Sequence, residues 1–296
     1  MTGELIVPSD EVRDALEAGR PVVALETTLV AHGFPPPDGV AVGLASDAAV
    51  REAGAVAATI GVLDGRIRVG LEPGELERFT PDARKLGARD LAACAVAGTV
   101  GATTVGAVLA VARATGIRFL GTGGIGGVHR GYPTPPDVSA DLLGLVASPV
   151  LVACSGAKSI LDVPATVEFL ETLGIPVVGF GTDTLPLFYS AAGGPPVADR
   201  VDDAVTAAAI ARAHWDLGGC GLLLANPPPE SLDVETLIEA AVDEASRTGV
   251  AGQAVTPFVL SYLHERSDGR TRAVNRALIV ANARLAAEVA VAYAAL

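Results

Sequence analysis

A glycine-rich stretch between two apolar runs is the feature that most restricts how this chain can fold. Residues 121–131 read GTGGIGGVHRG, with six glycines in eleven positions, and residues 117–120 and 149–154 on either side are predicted to be buried strands. Glycine has no Cβ, so its backbone N–H groups can approach a ligand closely. Consecutive N–H groups can then form a concave anion site. The glycine-rich stretch predicts either a simple turn or a site for an anion such as phosphate. The second interpretation is favoured because His, Arg, Asp, Ser and Lys lie at its end and shortly after it.

Apolar strands alternate with helical segments along most of the chain. This pattern predicts an α/β fold, a three-layer α/β/α arrangement with a mainly parallel central sheet, and residues 1–296 are predicted to form a single domain. The helices predicted within it include 101–114 and 137–146. Ligands of open α/β sheets bind beyond the carboxyl ends of the strands. We therefore expect the polar residues at those ends to converge on one crevice: Glu26, Thr122, Ser155, Thr182 and Asn226.

The composition favours a small-molecule partner. The formal charge is −13 and half of the residues are hydrophobic, which argues against nucleic acid or an anionic membrane as a partner. Cys94, Cys154 and Cys220 lie in apolar runs without metal-ligand spacing and are expected to be reduced core residues of a cytosolic protein. Residues 1–10 lack the basic and apolar regions of a signal peptide. No apolar segment free of Gly, Pro and charge reaches the length of a membrane span. These features predict a cytoplasmic location.

Lysine is rare in this chain, and its two positions are therefore informative. Of the 21 basic residues only Lys85 and Lys158 are lysine. Arginine stays charged, whereas a buried lysine can lose its proton and attack a carbonyl-like carbon to form an imine. Lys158 follows a predicted strand in the sequence Ser-Gly-Ala-Lys, which favours this role over a simple ion pair with Asp162. For Lys85 the local sequence leaves a functional role and an ordinary surface position equally open.

Carboxylates near the predicted strand ends have two interpretations each. A buried Glu26 would have a raised pKa and could act as a general acid, or it could accept backbone hydrogen bonds in a turn. Asp137 could cap a helix or, with Asp141 one helical turn further on, ligate Mg²⁺ or Mn²⁺. His129 could orient a substrate or be a structural histidine, and Arg130 could pair with phosphate or with Asp137.

Several short motifs, in order over nearly the whole chain, together resemble the pseudouridine-5′-phosphate glycosidase family, which includes indigoidine-cluster proteins. These motifs are Glu26-Thr27-Thr28, His32-Gly33, Arg89-Asp90, Gly101-Ala102-Thr103-Thr104-Val105, residues 122–131 and 137–141, Gly156-Ala157-Lys158-Ser159-Ile160-Leu161-Asp162, Asn226-Pro227 and Thr256-Pro257-Phe258. Gly121 departs from the family pattern, in which Ala is expected. Residues 185–196 resemble the family least.

The resemblance implies an enzyme that reversibly cleaves the C–C glycosidic bond of pseudouridine 5′-phosphate to uracil and ribose 5-phosphate. It also implies a homotrimer that uses Mn²⁺, with Mg²⁺ as an alternative. By the same resemblance Lys158 is the nucleophile, Glu26 the proton donor and Asp137 the metal ligand. Substrate contacts are implied at Lys85, Val105, Ser139, Ala140 and Asp141, with His129 and Asn275 as polar residues near the site.

A C–C glycosidic bond lacks a heteroatom leaving group, so paired carboxylates alone do not suffice. The mechanism expected from the resemblance has Glu26 protonate the ribose ring oxygen as the ring opens. Lys158 then adds to C1′, the bond from C1′ to C5 of uracil breaks, and water hydrolyses the imine. Two other classes fit the residues less completely. One is a lysine-imine aldolase for sugar phosphates, and the other is a non-catalytic phosphosugar or nucleotide sensor.

Overall fold

The protein is built around a mainly parallel sheet with helices on both faces. The structure is a computed structural model and describes residues 5–134, 136–158, 160–250 and 255–296, so Ser159 of the predicted lysine motif lies outside the described residues. The strands are β1 (Ile6–Pro8), β2 (Val22–Glu26), β3 (Val56–Leu63), β4 (Arg66–Val69), β5 (Arg84–Leu86), β6 (Gly101–Thr103), β7 (Phe119–Gly121), β8 (Leu151–Cys154), β9 (Val177–Phe180), β10 (Asp199–Val201) and β11 (Leu222–Ala225).

The helices carry most of the chain between these strands. They are α1 (Asp10–Glu17), α2 (Asp38–Glu52), α3 (Pro73–Leu76), α4 (Leu91–Ala97), α5 (Val105–Thr115), α6 (Asp141–Ala147), α7 (Val163–Thr172), α8 (Ala204–Asp216), α9 (Glu235–Arg247), α10 (Val255–Arg266) and α11 (Arg270–Ala295). Two side-chain N-caps are formed: the Ser9 hydroxyl accepts from Val12 N at the start of α1, and Asp162 accepts from Ala165 N at the start of α7. Such caps satisfy N–H groups that a helix leaves unpaired.

Among the described residues, the strand order is β1-β4-β3-β2-β7-β8-β11-β9-β10, with β6 between β3 and β5 at a branch. The pairs formed by β3 with β4 and with β6 are antiparallel, and the other pairs are parallel. The antiparallel β3–β4 hairpin turns at Asp64-Gly65, where both residues have positive φ, as a tight hairpin turn requires.

Side chains of the central strands alternate between two hydrophobic cores, because successive residues of a strand point to opposite faces. Val23 and Leu25 of β2 join the core that includes Trp215 of α8 and Ala286 of α11. Val22 and Ala24 join the other core, which also includes residues of α5, α6, α7 and α9. A sheet buried on both faces is a three-layer structure. The predicted α/β/α fold with a mainly parallel sheet is confirmed.

Two local predictions are wrong, and both failures come from pairing that local sequence does not reveal. The helix predicted over 101–114 begins only at Val105, because Gly101–Thr103 pairs with β5 and β3. The helix predicted over 137–146 begins at Asp141. Asp137 is instead held in an extended segment, where its carbonyl accepts from His129 N at 3.0 Å. Asp137 is therefore not a helix cap, and it does not share a helical face with Asp141.

The closing helix α11 is a core element. Its length and apolar composition would by themselves allow it to cross a membrane, but half of its most apolar window is buried inside the protein. It packs on β2, β7 and β8 and against α2 and α8. Its apolar face thus covers the middle of the sheet, next to the strands that end in the predicted site residues.

Candidate active site

Glu26 ends β2 as a buried carboxyl group. Burial raises its pKa above the ordinary value, while the positive charge of Lys158 and the hydrogen bond from Thr122 act in the opposite direction. The Thr122 hydroxyl, which lies just beyond β7, donates to Glu26 Oε1. Because water is excluded, the neutral acid form is favoured. The alternative of a carboxylate that only accepts backbone N–H groups at a turn does not describe this contact.

Lys158 is held by the glycine loop, residues 121–131. Its backbone N–H donates to the Ile125 carbonyl at 3.0 Å, and Ile125 N donates to the Gly156 carbonyl at 3.1 Å. Gly156 has φ +81°, and a Cβ there would lie 2.1 Å from the Pro186 carbonyl oxygen. Only glycine suits this turn, because of both conformation and space. Asp162, the alternative partner of Lys158, is used as the cap of α7.

Lys85 lies in β5 close enough to Lys158 and Glu26 for their charges to act on it. Burial, together with the positive charge of Lys158, lowers the pKa of Lys85 to about 8. The two lysines of the chain therefore belong to one site. A functional role for Lys85 is favoured over an ordinary surface position, because an isolated surface lysine would be neither half-buried nor near a second ammonium group.

Two connected cavities meet at the lysines. Lys85, Lys158 and Thr104 line both of them. The outer cleft, of about 540 Å³, is also lined by Arg89, Arg113, His129, Asp137, Ser139, Ala140 and Asp141. The inner pocket, of about 70 Å³, contains Glu26 and Asn275 among mainly apolar residues that include Phe34, Phe188 and Ile279. The arrangement joins a polar, partly basic cleft to a mainly apolar pocket that holds the acid.

Asp141 connects two backbone segments around the outer cleft. Its Oδ1 accepts from Gly106 N in the first turn of α5, and its Oδ2 accepts from Gly126 N in the glycine loop, both at 2.8 Å. Ser139 Oγ accepts from the N–H of Asp141 at 3.2 Å. Both carboxylate oxygens thus hold the cleft wall together. Asp141, Ser139 and Ala140, where the resemblance implies substrate contacts, line the cleft, but the carboxylate oxygens of Asp141 are already engaged by backbone groups.

Val105 and Asn275 occupy different surroundings. Val105 is fully buried at the start of α5, so a substrate contact at this position would involve its backbone N–H. Asn275, on α11, is nearly fully buried in the inner pocket, and its Oδ1 has no hydrogen-bond partner in the part of the chain that the structure describes. An unpaired buried acceptor is costly, so this amide is suited to a ligand that brings a donor.

His129 and Asp137 face each other at the rim of the outer cleft, with 3.9 Å between Nδ1 and Oδ2. Burial lowers the pKa of His129, and the charge of Asp137 opposes this effect. Arg130 lies next to His129 and is engaged by α9: its Nη2 donates to Glu235 at 2.7 Å.

A divalent ion at Asp137 would depend mainly on water and substrate. Within the described ranges, no group of three His, Cys, Asp or Glu side chains is placed to hold a metal. Asp137 is 40% exposed at the cleft rim and is not used as a helix cap. A single accessible carboxylate fits Mn²⁺ or Mg²⁺, which keep several waters and bind through one or two carboxylates and substrate oxygens.

Sequence reasoning placed Thr122, Ser155 and Asn226 at strand ends but did not assign their roles. All three converge with Glu26 at one edge of the sheet, whereas the Thr182 hydroxyl bonds to nearby Thr184. Phe188 was missed: it has φ +62° and lines the inner pocket from within the Leu185–Pro196 stretch. Asn282 was also missed, although a polar residue seven positions after Asn275 in an alanine-rich helix was a usable signal.

The fold and the site define an α/β protein in which a buried carboxyl group and a lysine share a pocket that adjoins a polar cleft. The family model described as Indigoidine synthase A like protein matches residues 11–292. The chain belongs to this family. The resemblance drawn from the motifs is thereby confirmed.

Relatives cover almost the full chain. It is 48% identical over 295 residues to "Pseudouridine-5′-phosphate glycosidase" of Myxococcus xanthus, covering 97% of each chain. It is 49% identical to the protein of that name from Herpetosiphon aurantiacus, covering 99% and 98%. Among solved structures it is similar to prealnumycin C-glycosynthase AlnA in complex with ribulose 5-phosphate, with a TM-score of 0.90, 39% identity and coverage of 99% and 98%. An indigoidine synthase A-like protein from Thermotoga maritima has a TM-score of 0.88, 37% identity and coverage of 97% and 96%.

Proposed function

We propose that this protein catalyses the reversible cleavage of pseudouridine 5′-phosphate to uracil and ribose 5-phosphate. The observation that carries the proposal is that Glu26 and Lys158 line one small pocket, and that Lys158 also lines the adjoining cleft with its basic groups. Relatives at almost 50% identity carry the name of this activity. A solved relative binds a five-carbon sugar phosphate, which agrees with the size and polarity of the outer cleft.

The chemistry assigns a different task to each of the two groups. Glu26 gives its proton to the ring oxygen O4′ as the C1′–O4′ bond breaks, and electrons of the pyrimidine ring form a C1′=C5 double bond in its place. The amine of Lys158 then bonds to C1′, the electrons of that double bond return to the ring, and the proton that the nitrogen loses restores Glu26. The lone pair of the Lys158 nitrogen forms the C=N bond as the C1′–C5 bond breaks, and C5 of uracil takes a proton, which hydrolysis of the imine returns. Addition of water to the imine releases ribose 5-phosphate and restores Lys158.

The remaining groups bind and orient the substrate in this proposal. Lys85, Arg89 and Arg113 supply positive charge along the outer cleft. This local charge can attract a phosphate group, although the net charge of the protein is −13. The inner pocket takes the flat base, with Asn275 as a hydrogen-bonding partner. Mn²⁺, or Mg²⁺ in its place, would be held by Asp137 and would supply positive charge for substrate oxygens. We also propose that the enzyme is a cytoplasmic homotrimer acting in nucleotide catabolism.

The direct test is to incubate the protein with pseudouridine 5′-phosphate and Mn²⁺, with and without EDTA, and to follow free uracil by chromatography. We expect uracil in the presence of metal and much less after chelation. Release of a small aldehyde without uracil would indicate the aldolase alternative. Tight binding without turnover would indicate the sensor. Uracil formation that EDTA does not change would keep the reaction and remove the metal from the proposal.

The Lys158→Ala variant tests the covalent step. Because the adduct cannot form, we expect turnover to fall by roughly 10³-fold or more, while the substrate still binds. Borohydride reduction in the presence of ribose 5-phosphate should add one reduced sugar phosphate to the native protein and none to the variant, as measured by intact mass. Near-normal turnover of Lys158→Ala would exclude the imine mechanism.

A further inference from the structure

Asn282 forms a buried polar junction outside the two cavities. It lies on α11, is fully buried, and its side-chain amide reaches the ends of three neighbouring strands. Its Nδ2 donates to the Thr122 carbonyl at 2.8 Å, which follows β7, and to Ser155 Oγ at 3.1 Å, which follows β8. Its Oδ1 accepts from Asn226 Nδ2 at 2.9 Å, which follows β11.

The orientation of this amide follows from its partners. The Thr122 carbonyl can only accept, so the nitrogen of Asn282 must face it. The oxygen then faces Asn226, which presents its own amide nitrogen. The Gly123 carbonyl lies 3.4 Å from the same nitrogen as a weaker additional acceptor. Asn282 is fully buried, and hydrogen bonds that form one network in the protein interior strengthen one another. The network is therefore more rigid than the same bonds would be if they were separate.

Two hydrogen-bond partners of Asn282, Thr122 and Ser155, are themselves connected to the two reactive groups, Glu26 and Lys158. Thr122, whose carbonyl Asn282 holds, donates its hydroxyl to Glu26 Oε1. Ser155, whose hydroxyl Asn282 holds, begins the short turn that ends at Lys158. The backbone N–H of Ser155 also donates to the Gly123 carbonyl at 2.9 Å. The junction therefore fixes the backbone beneath the acid and beneath the nucleophile together.

The Asn282 side chain can contact the strand ends because α11 packs closely on the sheet. A Cβ added to Gly121, the last residue of β7, would lie 2.7 Å from Ala283 Cα, a separation at which one of the two segments would have to move. Glycine at 121 thus lets α11 lie directly on the strand end, with Asn282 at the contact.

We propose that Asn282 is a positioning residue that sets the distance between Glu26 and Lys158. The inference rests on the proposed function of these two groups, and it assigns a role in the reaction to a side chain that lines neither cavity. Loss of the amide would leave the Thr122 carbonyl and Ser155 hydroxyl unpaired and let the two turns move independently. A displacement of about 1 Å can reduce a rate by about 10²-fold.

The test is the Asn282→Leu variant, which keeps the size of the side chain and removes its hydrogen bonds. We expect kcat for uracil release to fall by about ten- to a hundredfold with little change in KM, and borohydride trapping of ribose 5-phosphate on Lys158 to slow as well. Thr122→Val should slow uracil release through Glu26 and leave trapping on Lys158 nearly unchanged. Comparison of the two variants thus separates the effect of Asn282 on Glu26 from its effect on Lys158.

The matched control is Val289→Ala, which removes buried apolar volume from the same helix, seven residues further on. It should lower the melting temperature without a comparable loss of kcat. An Asn282→Leu enzyme that is no slower than Val289→Ala, or that changes only KM, would overturn the positioning role. If the native protein released no uracil, the proposed function would fail, and trapping by Asn282→Leu would still test the Lys158 branch.

Discussion

The side chain of Glu26 is kept from water at the end of a strand, and Thr122 donates a hydrogen bond to it. Burial raises its pKa, so the protonated acid persists to higher pH than an ordinary glutamic acid, and the rate should fall as pH rises through that raised value. We expect Glu26→Gln to reduce kcat by about 10²- to 10⁴-fold, the usual contribution of a general acid. Unchanged turnover in steady-state assays would remove Glu26 from this role.

Lys85 is expected to produce a second pH dependence. Its pKa is lowered to about 8, so the ammonium form that attracts phosphate is lost as pH rises through about 8. We expect kcat/KM to decline above this pH in the native enzyme. Lys85→Arg keeps the positive charge at high pH and should show lower activity at pH 7 but no decline assigned to residue 85.

The comparison of Lys85→Arg with Lys85→Met separates charge from shape. The uncharged variant should have a raised KM at all pH values, because the loss of a phosphate partner weakens binding. An alkaline decline that is identical in the native enzyme and in Lys85→Arg would assign that decline to another group, with Glu26 as the first candidate.

Part of the site could be predicted from residue types alone. Two lysines among 21 basic residues pointed to Lys158, and the structure brings Lys85 to the same cavities. The roles of Asp141 and Asn282 were beyond local reasoning, because the groups that their side chains bond lie at least 15 residues away in sequence. Whether a carboxylate caps a helix, joins two loops or faces a ligand depends on tertiary contacts.

At the level of elements, the glycine loop is shaped by the side chains packed against it. A Cβ on Gly126 would lie 2.2 Å from Ser139 Oγ and 2.9 Å from Asp141 Oδ2. We expect Gly126→Ala to destabilise the protein by about 1–3 kcal/mol, as overpacking does, and to reduce activity more than tenfold, since the cleft wall and the Lys158 turn would move. Thermal unfolding and uracil release would measure the two effects.

Gly74→Ala serves as the control for that substitution. A Cβ at Gly74 meets no atom within 4 Å, and the residue lies in α3, away from both cavities. Alanine there should leave activity unchanged and stability equal or slightly higher, because glycine is unfavourable in a helix. If Gly126→Ala behaved in the same way, the packing account of the glycine loop would be wrong.

Element types were easiest to predict where local and tertiary preferences agree. The turn residues Asp64-Gly65 indicate the β3–β4 hairpin. A long alanine-rich sequence indicates the helix α11. The failures at 101–103 and at 137–140 occurred where a short small-residue or polar segment pairs with a distant strand. His129 N binds the Asp137 carbonyl, and this contact, rather than helix propensity, decides the conformation of Asp137.

For the whole molecule, the alternation of strands with helices was sufficient to predict a three-layer fold. The same pattern carries no information about which molecules the surface contacts. Two exposed apolar residues share one face of α6: Leu143, at 65% exposure, and Val146, at 39%. Leu143 also lines the outer cleft. Apolar side chains that form a contiguous exposed patch mark interfaces between proteins.

We predict that this face lies at the interface of the proposed homotrimer, so that a second copy covers Leu143 next to the cleft. Light scattering after gel filtration should give a mass three times the 29.8 kDa of the chain. Leu143→Asp would bury a charge in the interface and should give smaller species with a raised KM. The control is Leu217→Asp at the C-cap of α8, where the native leucine is even more exposed, at 89%; this variant should stay trimeric. A monomeric native protein with full activity would contradict the trimer, and a trimer unaffected by Leu143→Asp would place its interface elsewhere.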